Sequence, residues 1–159
     1  MSWLKRLRTD RSGAALIEFT LVAPLLLLVG LGIFEFGNVF YGHHLVNTGV
    51  HDAARYLARV DDPTASEAAA KQLAVYGQIG GSAKRVSWWG TGDVSVSLTS
   101  IPNPIDVVTG ARAYRGPDPI RIVRVSTIAI YPGLGFLTYL GLGSALTFSL
   151  YHEERVISE

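Results

Sequence analysis

The sequence predicts an α+β fold: a long N-terminal helix, a shorter second helix and then a small antiparallel sheet. Three observations carry this. Residues 14–34 are nearly all apolar, and as a helix rising about 1.5 Å per residue they extend about 30 Å, the thickness of a bilayer core. Apolar residues then recur every three or four positions, through Phe36, Val39 or Phe40, Val46, Val50, Ala53, Leu57 and Val60, the spacing of a helix with one buried face. Beyond Lys84 the period falls to two: Val94, Val96 and Leu98 alternate with Asp93, Ser95, Ser97 and Thr99, as in a half-buried strand. Helix first and sheet afterwards is an α+β order.

Taken in chain order, residues 1–13 are a short cationic leader containing Lys5, Arg6, Arg8 and Arg11. Residues 14–36 read as a transmembrane helix and 37–60 as its amphipathic continuation, one helix from about Ala14 to Arg59. Pro24 removes one backbone hydrogen bond within the span and predicts a kink or loosened turns, which membrane helices tolerate. Gly37, Gly42 and Gly49 each weaken the middle by about 1 kcal/mol against alanine and predict a bend near 37–42. Asp61-Asp62-Pro63 ends the helix. Thr64 and Glu67 stand at capping-box spacing before an alanine-rich run, predicting a second helix over 64–76 that Gly77, Gly80 and Gly81 stop. Strands are expected at 85–89, around 94–98, at 119–131, which is rich in β-branched residues, and at 145–156. The apolar, glycine-rich stretch 132–144 fits a short helix, so 61–159 forms one α+β domain.

Charge is distributed unevenly. The chain of 159 residues has a formal net charge of +1. The first thirteen residues hold four basic residues and Asp10, a net +3, leaving ten basic and twelve acidic residues in the remainder, a net −2. By the positive-inside rule the leader fixes the N-terminus in the cytoplasm and the domain on the far side of the membrane. The body lacks the clustered basic face that nucleic-acid binding needs. With no cysteine, disulfides, thiolate zinc sites and cysteine nucleophiles are excluded. No Gly-x-Ser-x-Gly elbow, phosphate loop or paired-carboxylate motif is present, so neither an enzymatic activity nor a cofactor is expected. His44 and His51 share a helix face seven residues apart, and Glu35 and Asp52 do not complete a metal-ligand set with them; the histidines are read as surface or packing residues and no metal is expected.

One residue in the span demands a partner. Glu18 is the only charge between Ala14 and Phe34, and a carboxylate at mid-bilayer costs on the order of 2.5–3.5 kcal/mol. A cut after Gly13 would create an α-amine on Ala14 about one helical turn from Glu18, and that ammonium, in the same chain or a packed neighbour, would neutralise it. A secretory signal peptide is the competing reading, with 19–29 as its apolar core and Gly30 and Gly32 near a cleavage point. Glu18 at the head of that core, and the helical pattern continuing past it, argue against it.

Gly13, the small or apolar run Ala14-Ala15-Leu16-Ile17, then Glu18 and Phe19 resemble the processing signature of type IV prepilins, in which the glycine precedes the scissile bond and the glutamate is the fifth residue after it. Together with Pro24-Leu25-Leu26-Leu27-Leu28, Gly32-Ile33-Phe34-Glu35-Phe36-Gly37 and Ala53-Ala54-Arg55, residues 11–59 resemble the N-terminal domain of the TadE-like pseudopilins, minor components of the tight-adherence (Flp) pilus machinery. The resemblance implies a pilin-like fold. It implies cleavage between Gly13 and Ala14 by a prepilin peptidase, a charge-pairing role for Glu18 beside Phe19, and packing roles for Pro24, Glu35 and Gly37. It also implies partners among other pilin subunits and the Tad secretion machinery, with the protein in the inner membrane and its domain in the periplasm. By its position alone, at the far edge of the span, Glu35 reads as a water-facing residue. The alternative function is an unprocessed single-pass protein that tethers a periplasmic binding or adhesive domain.

Trp88, Trp89 and Tyr114 are expected to lie mainly in the core, and the apolar stretch around 132–143 is a candidate partner surface.

Overall fold

The computed structural model describes residues 12–139, 141 and 146–157; residues 1–11 of the cationic leader and Leu140 and Leu142 of the apolar stretch fall outside them. A single helix, α1 (Ser12–Leu57), runs unbroken with Pro24 inside it, within two residues of the predicted end. Its two halves have opposite surroundings. The apolar half is bare: Leu16, Phe19, Leu21, Leu27 and Phe34 are all about two-thirds exposed or more. The second half buries Val46, Val50, Ala53, Ala54 and Leu57 completely, the three- and four-residue spacing that a single packed face requires.

The second helix, α2 (Glu67–Tyr76), starts three residues later than the Thr64 start expected, because a different residue organises the turn. Asp62 Oδ1 accepts the backbone N–H groups of Thr64 and Ala65 at 2.9 and 3.0 Å, while the N-cap Ser66 makes no side-chain cap bond. The Thr64–Glu67 capping box therefore does not form. Glu67 instead pairs with Lys71 one turn on, at 2.7 Å. Gly77 closes the helix in the left-handed region at φ 75°, its N–H bonded to Leu73 O at 2.9 Å, the expected use of a glycine at that position.

The sheet has three antiparallel strands in the order β1 (Val94–Ile101), β2 (Ile120–Tyr131) and β3 (Leu146–Arg155). On β2 the buried residues Val123, Val125, Thr127, Ala129 and Tyr131 alternate with Arg124, Ser126, Ile128 and Ile130, so one sheet face lies on α1. Residues 85–89 are not a strand. Arg85 N–H is taken by Val75 O at 2.8 Å, the Arg85 guanidinium meets Asp52 of α1 at 2.5 Å, and Trp88 and Trp89 turn into the core. With its first donor committed to α2, the Arg85 side chain to α1 and the two indoles to the core between helix and sheet, the segment pairs with no sheet edge.

β3 climbs beside α1 in step with it. His43 meets the ring of Phe148 edge-on at 5.3 Å, and His51 stacks on His152 at 3.8 Å. Arg55 approaches Glu154 at 3.9 Å, and Ile157 N–H reaches Ala58 O at 2.8 Å. Twelve helical residues advance about 18 Å and six strand residues about 20 Å, so the contacts stay in register along the domain. The Tyr131 end of β2 therefore lies beside the apolar half of α1, and the loop before Ile120 lies at the opposite end.

Candidate assembly site on the long helix

The residues singled out at the start of α1 share one environment. Gly13, Ala14, Glu18 and Phe19 are all exposed, a methyl group at Gly13 would meet nothing within 4 Å, and Glu18 has no ion pair or hydrogen bond among the described residues. Ala14 and Glu18 are four apart in the helix, on one face and one turn from each other. The helix holds an eighteen-residue window of mean hydropathy 2.3, none of it buried within the protein. It is long and apolar enough to cross a membrane, and its bareness sets it apart from the core helix of a soluble domain. An apolar surface of that extent needs a covering.

Pro24 is exposed and borders a groove beside the helix. Gly37 is exposed, with nothing within 4 Å of a methyl group placed there, so it packs on nothing among the described residues. The glycines that pack most tightly are the two further along. A methyl group at Gly42 would sit 2.9 Å from Trp88 Cζ2, and one at Gly49 would run into Ala74 O and lie 2.7 Å from Trp89 Cη2. These glycines let α2 and the tryptophan pair close on α1. Trp89 is fully buried, its Nε1–H donating to Thr127 Oγ1 at 3.0 Å while that hydroxyl donates to Asp93 O at 2.7 Å. Trp88 is half-buried against Tyr131 and Phe148, whereas Tyr114 is 61% exposed, outside the core.

Glu35 departs most from its expected setting. It is 2% exposed, not water-facing. Its carboxylate accepts the Leu134 N–H, at 2.9 Å to Oε1 and 3.2 Å to Oε2, and the Tyr131 hydroxyl at 3.3 Å. Gly133, at φ +76°, brings its Cα side close to the same oxygen, where an added Cβ would lie 3.4 Å away. Burial, with the Glu35 charge and hydrogen bond beside it, raises the Tyr131 phenol above its ordinary pKa. A buried charge with donors from strand β2 and the turn after it fixes the apolar half of α1 to the base of the domain. The signal for this lay in the sequence only as an acid at the border of an apolar run; its donors are about a hundred residues away.

The histidines lie between helix and sheet. His51 stacks on His152, and its pKa is lowered, first by burial and then by the neighbouring His152 and Arg55, against the opposing pull of Glu154 and Asp52. His152 Nε2 lies 2.9 Å from Glu154 Oε1.

Among known proteins, no curated sequence and no solved structure matches this chain. A family model described as TadE-like protein matches residues 13–55, the span that takes in Glu18, Glu35 and the packed face through Ala54. From Gly13 to Arg55 the long helix of this protein is similar to that family, in line with the resemblance carried by the order of motifs along it.

Proposed function

We propose that the protein is a minor pilin or pseudopilin required to assemble a Flp/Tad-type type IV pilus, processed after Gly13 by a prepilin peptidase. One observation carries the reading: within a TadE-like helix, a bare apolar half holds a carboxylate, Glu18, that has no partner among the described residues and lies one turn from Ala14. Cleavage places an ammonium on Ala14. In lipid or among packed helices, where the effective dielectric is low, that ammonium and the Glu18 carboxylate set the axial register of subunits packed side by side. The domain of 61–159, on the periplasmic side, gives partner specificity, and the protein stays in the inner membrane or enters the filament. Its partners on this reading are the peptidase, other pilin subunits and the Tad secretion machinery.

The experiment is Glu18→Ala in cells that make the pilus. Loss of piliation and of crosslinks to other pilin subunits, with unchanged membrane insertion, supports the proposal. Full piliation and crosslinking would leave only an anchor. The tethered-domain alternative is favoured by one feature: Val107 and Val108, 97% and 89% exposed, are held out at the end of the domain away from the apolar half of α1 by a turn in which Asp106 Oδ1 accepts the N–H groups of Val108 and Thr109. Such a tip suits a binding domain on a passive tether, which the Glu18→Ala variant would leave working.

A further inference from the structure

After β2, residues 132–139 descend along the part of α1 assigned above to the membrane. Phe136, at the start of α3 (Phe136–Tyr139), lies against Gly32, where an added Cβ would be 3.5 Å from its ring. Between this connection and the helix runs an open groove of about 590 Å³ bordered by Pro24, Leu27, Leu28, Leu31, Phe136 and Tyr139. Residues 132–139 contain no Asp, Glu, Lys or Arg, yet Leu134 is 55% and Tyr139 84% exposed. In water this would be an uncovered apolar projection.

Part of its backbone is satisfied within the protein. Pro132 has no N–H to satisfy. Leu134 N–H is taken by Glu35 at 2.9 Å, Tyr139 N–H by Gly135 O at 3.0 Å and Gly141 N–H by Thr138 O at 3.0 Å. Non-helical chain reaches membrane depth only where its backbone is satisfied by or packed on protein, and this segment packs on α1 through Phe136 and Gly32. Depth agrees as well. Pro24 lies eleven residues before Glu35, about 16 Å along the helix and about half of a 30 Å hydrocarbon core. The groove thus spans one leaflet, from the border at Glu35 to the midplane at Pro24.

We propose that the 132–139 connection is a second membrane contact, embedded in the leaflet on the domain's side, with lipid acyl chains filling the groove between it and α1. The inference rests on the reading of 14–36 as membrane-spanning. Its consequence is that the domain does not swing on its helix. It stands on the bilayer surface with a fixed tilt and is presented to neighbouring subunits in one orientation, and leaving the membrane requires lipid to be stripped from this face.

The chain has no cysteine, so single labels can be placed without background. The full-length protein carrying a bimane label through Tyr139→Cys, Leu25→Cys or Val107→Cys is reconstituted in phosphatidylcholine vesicles, with and without lipids bearing a nitroxide on the acyl chain. The expected result is that the nitroxide roughly halves fluorescence at positions 139 and 25 and leaves 107 unchanged, while aqueous iodide quenches only 107. If position 25 is quenched by nitroxide and 139 follows 107, the second contact is wrong and the span stands. If 25 also behaves as water-exposed, the span fails and the inference with it. A label at 139 shielded from both quenchers assigns this face to a protein contact and overturns the proposal.

Discussion

The carboxylate of Glu35 on α1 accepts the backbone N–H of Leu134, ninety-nine residues further along the chain, at 2.9 Å. This contact joins a helix that is bare at one end to the domain packed on its other end. Removing it with Glu35→Ala leaves a part-buried N–H and a buried phenol without their acceptor, an expected loss of about 1–3 kcal/mol. Tyr131→Phe, which removes only the longer bond, is expected to lose about 1 kcal/mol or less. Thermal melting of the detergent-solubilised protein checks both. If Glu35→Ala melts like the parent, the contact is not structural.

The glycines of α1 separate by sign. Gly49→Ala drives a methyl group into the Ala74 carbonyl and the Trp89 ring, and overpacking of this kind costs about 1–3 kcal/mol. Gly37→Ala meets open space and is expected to stabilise the helix by about 1 kcal/mol. Melting curves that moved in the same direction would contradict the placement of α2. If Gly37 packs on another subunit, as the family resemblance implies, Gly37→Ala lowers piliation without lowering the melting temperature.

The His51 environment predicts the pH dependence. Its pKa lies below the ordinary value of 6.5 in the folded protein, so on acidification the unfolded chain takes up the proton first. The stability that depends on neutral His51 is fully present above about 6.5 and falls as pH drops from there to the folded pKa. His51→Phe keeps a ring to stack on His152 and removes the titration. The loss in melting temperature between about pH 7.5 and about pH 5.5 is expected to shrink in this variant. An unchanged loss would assign the dependence to other groups.

The parts of this architecture that were legible in the sequence are those with a period. The stripe from Val46 to Leu57 fixed the packed face of α1, and the alternation from Val94 to Leu98 together with the β-branched run before Tyr131 fixed two strands. Residues 85–89 misled because Val86, Trp88 and Trp89 are strand-like in composition, and nothing local announces that Arg85 is drawn to Asp52 thirty-three residues back. Thr64 and Glu67 had capping-box spacing, but Asp62 takes the Thr64 N–H and the Thr64 carbonyl takes the Glu67 N–H. Gly42 and Gly49 registered only as weak helix formers, because their value is to the tryptophans that rest on them. Glu35 looked water-facing for the same reason: its donors come from the far side of the sequence. At the N-terminus the candidate site was readable as a pattern, Gly13 to Phe19, because its chemistry is local to one helical turn.

The central claim is that trimming the leader supplies a cation for Glu18. The direct measurement is the intact mass of the membrane-bound chain from cells with and without a prepilin peptidase. The account predicts a chain beginning at Ala14 when the peptidase is present and one retaining the leader when it is absent. A chain that keeps its first thirteen residues in both would contradict it.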